Sequence, residues 1–429
     1  MKKIVSMLAI AALTLGAVSA ADFSVEYATK GSVYTEKSNL PKGATKSTVE
    51  SKAFLDQKGY DGDSASDLVL SSSGTAGGVL LDIDVDARDK TVKFDQVYGW
   101  MNFGSIQLTT GKWSGRYVNR VKEDAGKWAS SDFEKFKPGI IVGADGKGLK
   151  DNNAYDVDNL TAVKGTNQIA TALAFISRPD DATYFMAKGL IVTNNDTWGG
   201  IGKWDSDKVY ADDEYDLVFE SGFAGEIAFR KENVIDINVL AKSMVRNELV
   251  VGAFVRPLML NPVNLLVGVT YLADLTDNGD NVDANAYAYG IDVRARIPLS
   301  DSLALTTMNN LSNKVAQKAK KGKDNYEMSM WNMVSVAYKV SDALKVQVTG
   351  ESYMANFMKV VEDKAVSRKE LGGADVSVLA GVVYNFNPNA SFSAGIKYEK
   401  TGVFAASDWT DANDRTATFS IPFVFDVAL

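Results

Sequence analysis

The chain of 429 residues contains no cysteine and no histidine. The first absence removes disulfide support, so an exported chain of this kind must draw its stability from a large hydrogen-bonded fold. The second removes Ser-His-Asp triads, imidazole acid–base chemistry and ordinary zinc sites. Long apolar runs are also missing. After residue 20 no segment offers the roughly 20 uninterrupted apolar residues of a membrane-spanning helix. Mean hydropathy is -0.10, too low for a helical membrane protein. No Pro/Ser/Gly-rich linker follows Ala20, so nothing divides the chain into modules. Positive charge is the scarcer sign: 46 Lys and Arg stand against 54 Asp and Glu, a formal net charge of -8. That balance argues against nucleic acid and against anionic surfaces as partners.

Residues 1–20 have the layout of an export signal. Lys2 and Lys3 form a charged start, residues 4–18 are apolar, and Val18-Ser19-Ala20 supplies a small-residue cleavage site. The mature chain is expected to begin at Ala21, and losing two lysines takes its net charge from -8 to -10.

Beyond Ala21 the dominant pattern has period two. Phe419, Ile421, Phe423, Phe425, Val427 and Leu429 fall on one face of an extended strand. Ser420, Pro422 and Asp426 fall on the other, with Val424 the apolar exception. In 287–299 the odd positions are Tyr287, Tyr289, Ile291, Val293, Ala295, Ile297 and Leu299, and the even ones include Gly290, Asp292, Arg294 and Arg296. The pattern recurs in 215–230, 263–271, 376–386 and 392–399. Such segments exceed the common soluble strand of about 5–6 residues and fit the roughly 9–11 that cross a bilayer at a tilt. Tight connections at 230–233, 257–262, 298–302, 340–343 and 386–390 carry turn residues. Longer polar loops at 194–212, 274–284, 312–325, 355–373 and 401–413 lie between them.

An exported chain of amphipathic strands with alternating short and long connections reads as all-β, a transmembrane antiparallel β-barrel of the outer-membrane kind. Strands are expected near 22–30, 66–73, 78–88, 91–102, 105–113, 168–178, 182–193, 213–230, 233–243, 248–257, 262–273, 285–299, 302–311, 327–340, 343–354, 374–386, 390–400 and 414–428. That makes 18 strands, with 16 as the fallback because 31–65 is polar and weakly patterned. The domain reading is residues 1–20 as signal peptide and 21–429 as one barrel with a long loop at 114–167. Tyr98, Trp100, Phe103, Trp113, Trp331, Tyr353, Tyr384 and Tyr398 sit near expected strand ends, where an aromatic girdle belongs.

Residues 97–119 read VYGWMNFGSIQLTTGKWSGRYVN. Phe103-Gly104-Ser105-Ile106-Gln107-Leu108, followed by Gly111-Lys112, resembles the strand–turn–strand of Gram-negative outer-membrane porins that precedes their constriction loop. The resemblance implies that 114–167, the longest connection, folds into a pore. It makes Arg116, Arg120, Lys122, Glu123, Asp124 and Lys127 candidates for a charged eyelet. The segment lacks the acidic–aromatic–Gly-Gly turn of that family's trimeric branch, and the chain ends in leucine where that branch has phenylalanine. An external loop packed on the barrel rim is the other placement.

Charges on the polar faces are candidates for a lumen wall. Asp292, Arg294 and Arg296 share one face opposite an apolar one. An arginine facing lipid near the midplane costs about 2–4 kcal/mol, so a watery lumen is its expected place. Asp82, Asp84 and Asp86 share a face opposite Leu81, Ile83 and Val85. Alternate residues on a strand lie about 7 Å apart, too far to hold one calcium ion unaided, so these too read as lumen wall. Across the assignable inward positions 11 acids face 8 bases, which predicts at most a weak cation preference. Residues 143–148 are glycine-rich but lack phosphate-loop spacing.

The expectation is a passive diffusion channel for small hydrophilic solutes and ions in the cell outer membrane, in contact with outer-membrane lipids. It involves no cofactor, metal, catalytic residue or nucleic acid. Barrel enzymes similar to outer-membrane phospholipases or omptin-type proteases use a histidine that this chain lacks. Assembly is left open, a homotrimer among the forms. The rival reading is a barrel-type surface adhesin or antigen without significant transport.

Overall fold

In the computed structural model, residues 22–40, 45–59, 66–74, 76–86, 91–112, 169–193, 221–244, 248–274, 287–315, 326–361, 364–365, 373–403 and 415–428 are described. The expected signal at 1–20 lies outside them. The described residues are almost wholly strand. Val, Ile, Tyr, Phe and Thr recur at alternate places, and such side chains suit a pleated, half-covered surface.

The first six strands are β1 (Asp22–Asn39), β2 (Thr48–Gly59), β3 (Ser66–Gly74), β4 (Gly77–Asp86), β5 (Thr91–Phe103) and β6 (Ile106–Lys112). Next come β7 (Ile169–Asp180), β8 (Thr183–Thr193), β9 (Ser221–Lys231), β10 (Ile235–Met244), β11 (Glu248–Arg256), β12 (Asn264–Asp274) and β13 (Tyr287–Pro298). The last are β14 (Leu303–Val315), β15 (Tyr326–Lys339), β16 (Leu344–Val361), β17 (Lys364–Ala365), β18 (Ala374–Asn387), β19 (Ala390–Val403) and β20 (Thr416–Ala428).

From β3 onward each long strand pairs antiparallel with the next. β20 then pairs with β1, from Glu26 opposite Ala428 to Asn39 opposite Thr416, and the sheet closes on itself. On its other edge β1 has two partners. Residues 22–27 pair with β3 and 29–39 with β2. β3 has 9 residues against the 18 of β1 and cannot reach its far half. β2 fills that half.

Twenty strands are described where 18 were expected. The additions are β2, whose described pairing is with β1, and β17, a two-residue piece on the end of β16. β2 escaped the alternation because Phe54 stands in the row of Glu50, Lys52, Asp56 and Lys58, while Ser51 and Gln57 interrupt the other row.

Antiparallel pairing puts the tight connections after β3, β5, β7, β9, β11, β13, β15 and β18 at the end where β1 begins and β20 stops. Short side chains fix several of them by accepting backbone N–H bonds. Asp180 accepts from the Ala182 amide at 2.8 Å and from the Thr183 hydroxyl at 3.1 Å. Ser300 Oγ accepts from the Leu303 amide at 3.1 Å, Ser341 Oγ from Leu344 at 3.1 Å, and Asn387 Oδ1 from Asn389 at 2.8 Å.

Near this end the wall holds an aromatic bolt. Trp100 lies over Gly78 of the neighbouring strand, its register partner. A methyl group on Gly78 would stand 2.4 Å from the indole and 2.5 Å from the Ser72 carbonyl oxygen. Gly78→Ala should therefore cost about 1–3 kcal/mol through overpacking, measured by urea unfolding in lipid vesicles. Gly189→Ala, where an added carbon meets nothing within 4 Å, serves as the neutral comparison. Equal stabilities would refute the contact.

Candidate functional site

The two faces of the wall reverse those of a soluble sheet. The inward face is buried and carries Gln107, Thr109, Lys188, Glu226, Asp236, Asn238, Arg256, Asp292, Arg294, Gln347, Thr349, Glu351 and Lys397. The outward face is exposed and carries Leu173, Phe175, Ile227, Val239, Val251, Val267, Val269, Val334, Val348, Val378 and Ile396. On β13 the contrast is direct: Asp292 is 1% and Arg294 3% exposed, and neighbouring Ile291 is 39% exposed. Each large aliphatic side chain left in water forgoes about 1.5–3 kcal/mol. Against hydrocarbon the same surface is stable, and pairing of β20 with β1 closes the ring of long strands.

The chain is a transmembrane antiparallel β-barrel. Phe103, Tyr338, Tyr384, Phe386 and Phe392 are exposed near the tight-turn end, and Tyr271, Tyr398 and Phe419 toward the other. These are the girdle positions of such a barrel. Of the aromatics expected there, Phe103, Tyr384 and Tyr398 do face outward, and Trp113 lies outside the described residues. Tyr98, Trp100 and Trp331 do not: they are buried on the inward face. Tyr353 packs against the cluster of Met308, Trp331 and Met333. Proximity to a strand end sets height along the barrel, not face. The parity shared with buried Gly78 and Leu80 decides the matter for Tyr98 and Trp100.

The inward face is a series of charge pairs and hydrogen-bonded amides. Arg294 folds back along its own strand and donates to Asp292 Oδ2 from Nε at 2.8 Å, with Nη2 at 2.6 Å from the same oxygen. Register sets Asp236 opposite both Arg256 and Arg230, and Arg256 Nη1 lies 3.5 Å from Asp236 Oδ2. Lys188 stands opposite Glu226, whose Oε1 also accepts from Asn238 Nδ2 at 2.6 Å. On β19, Lys397 Nζ is 2.6 Å from Glu399. Uncharged groups behave alike: Gln347 Nε2 donates to Ser335 Oγ at 3.0 Å and Thr349 Oγ1 at 3.1 Å. Apolar patches interrupt this face, including the cluster of Ala174, Ile176, Tyr184, Met186 and Ala228.

Of the residues singled out from sequence, Asp292 and Arg294 are brought together in a buried pair. Arg296 keeps the same parity but is exposed, two residues short of the end of β13, so it belongs to the mouth rather than to the buried pair. Asp82 shares the inward parity of Gly78 and Leu80 and accepts from Gln96 Nε2 at 3.1 Å. Asp84 and Asp86 pair through their backbones with Lys93 and Thr91, and their side chains are outside the described ones. Arg116, Arg120, Lys122, Glu123 and Asp124 lie outside the described residues, as does all of 114–167. Lys188 was not foreseen. Its strand places Tyr184 and Met186 in the same row, so neither face of β8 reads as polar.

No protein-family model matches the chain, and no curated protein matches it. Several solved structures are similar to it. OccK11 (OpdR) of Pseudomonas aeruginosa aligns over 95% of this chain and 96% of its own, at 7% identity and a TM-score of 0.48. The anion-selective porin of Comamonas acidovorans aligns over 96% and 100%, at 10% identity and 0.46. OmpT, an outer membrane protein of Vibrio cholerae, aligns over 95% and 97%, at 12% identity and 0.43.

Burial gives the Asp292–Arg294 pair a testable signature. Arg294→Ala strands a carboxylate in the wall and should lower stability by about 3–5 kcal/mol, read by urea unfolding in vesicles. The double substitution Asp292→Asn, Arg294→Gln leaves no charge behind and should recover most of that loss. A double variant as unstable as the single one would show that the two groups are not coupled.

Proposed function

We propose that this chain is an outer-membrane porin, a passive diffusion channel for small hydrophilic solutes and ions. The inner wall supports the reading. Lys188, Arg256, Arg294 and Lys397 share the buried face with Glu226, Asp236, Asp292 and Glu351, within an apolar jacket. Ionic side chains lining the inside of a hydrocarbon-jacketed ring suit a polar content. In this reading Asp82, Asp84, Asp86, Asp292, Arg294 and Arg296 line the passage. Residues 1–20 direct export, and 114–167 narrows the lumen with Arg116, Arg120, Lys122, Glu123 and Asp124.

The mechanism is filtering without a chemical step. Solutes are sorted by size at the narrowest point and by charge along the wall. Among the described residues four buried bases stand with four buried acids, which supports weak selectivity. The acidity of the chain as a whole, -8, leans it toward cations.

Purified protein in a planar bilayer should give stepwise openings of small unit conductance. Under a salt gradient the reversal potential should be small and of cation sign. Arg294→Gln should move it further toward cations. Silence from protein that is folded and β-rich by circular dichroism would overturn the channel and leave a barrel-type surface binder.

A further inference from the structure

Six of the 12 methionines lie on β14, β15 and β16, and they meet in register. Met308 stands opposite Met333, Met330 opposite Met354, and Met328 opposite Met358. The first pair is inward. It is 2% and 0% exposed and packs with Trp331, so it belongs to a closed core. The other two pairs are outward, because Trp331, Met333 and Glu351 carry the inward parity of the same strands. Met328, Met330 and Met354 are half-buried there, and Met358 is 44% exposed.

Packing does not ask for methionine on this face. Its flexible chain fills irregular gaps inside a core, whereas lipid shapes itself to any side chain. Comparable outward places hold Ile227, Val239, Val334 and Val348, whose branched side chains suit a strand better. Height matters as well. Met328 is ten residues from Tyr338, an exposed ring of the turn-end girdle, or about 34 Å along the strand at ~3.4 Å per residue. At a tilt of about 40° that is a rise of about 26 Å, the full height of an apolar band about 25 Å tall. The outer pair therefore stands at the water boundary away from the turns.

The backbone draws the two pairs into one group. Met328 and Met330 are two steps apart on β15, Met354 and Met358 four steps apart on β16, and the register shifts between them. Such a bulge bends its strand and re-aims side chains. Directly opposite residues have Cβ atoms about 4.5–5.5 Å apart, and the unbranched, rotatable side chain lets paired sulfurs turn to one point. Asn313 stands opposite Met328 on its other side. It is 7% exposed, and its Oδ1 accepts no hydrogen bond among the described residues. A buried acceptor without a donor is unfavourable, and a cation beside it offsets that cost.

We propose that Met328, Met330, Met354 and Met358 hold a soft monovalent cation, Cu(I) or Ag(I), at the outer boundary of the barrel. Thioethers are soft, neutral ligands that favour Cu(I) over harder ions. The chain has no cysteine and no histidine, so it offers such an ion no stronger type of side-chain ligand. The site lies outside the lumen wall and does not depend on the channel reading.

The test uses the full chain in nanodiscs, with Ag(I) supplied as silver nitrate in chloride-free buffer because it needs no reductant. Isothermal titration calorimetry should give one tightly held ion per chain, and X-ray absorption should show sulfur neighbours. Replacing all four methionines with leucine should weaken binding at least tenfold while circular dichroism stays that of the folded barrel. Met358→Leu alone should also weaken it, and serves if the fourfold variant does not fold. Met101→Leu, Met259→Leu removes two exposed thioethers elsewhere and should leave binding unchanged. The inference falls if wild type binds no more Ag(I) than the fourfold variant, if the ion has only oxygen or nitrogen neighbours, or if Zn(II) displaces it. It falls equally if the Met101, Met259 variant loses as much.

Discussion

Closure of the sheet between β1 and β20 is the constraint on which the rest of the structure rests. Hydrocarbon supplies no hydrogen bonds, so every backbone N–H and C=O at membrane depth must find its partner in the wall. An open edge along the 18 residues of β1 would leave a row of such groups unpaired, each unfavourable by several kcal/mol. The register from Glu26–Ala428 to Asn39–Thr416 removes that edge on one side. On the other side β3 is too short, and β2 completes the pairing. β2 is thus a consequence of closure: a polar segment recruited because β1 overruns its neighbour.

Once the ring is closed, strand parity assigns every side chain to lipid or to the interior. Period two is visible in the sequence, but it does not say which row faces in. A soluble sandwich and a membrane barrel share the same alternation. The exposures resolve it: Ile291 is outside and Asp292 and Arg294 are inside. The interior charges then need partners, because a lone ion in a buried wall is far more unfavourable than a matched pair. The strand supplies them locally, two residues along for Asp292–Arg294 and Lys397–Glu399, and across the register for Asp236–Arg256.

Much of this was legible in the residues. The long amphipathic strands, the tight turns at 298–302, 340–343 and 386–390, and the inward place of Asp292 and Arg294 all follow from alternation and turn chemistry. What was hidden depended on tertiary context. β2 has no clean apolar row, and its role exists only because β3 stops early. Tyr98, Trp100 and Trp331 look like girdle residues by position along the chain, and only pairing with Gly78 and Met308-type neighbours reveals that they point inward. Lys188 sits in a row with Tyr184 and Met186, where no polar face announces it.

One rule then accounts for both surfaces. A polar group in the wall is stable only when it meets another polar group, whichever way it points. Inside, opposite charges satisfy the rule within one copy, and their near cancellation is why a heavily charged wall need not be strongly selective. Outside, Asn309 and Asn332 follow it within the wall, since Asn309 Nδ2 donates to Thr307 Oγ1 and to the Val293 carbonyl and Asn332 Nδ2 donates to Ser352 Oγ.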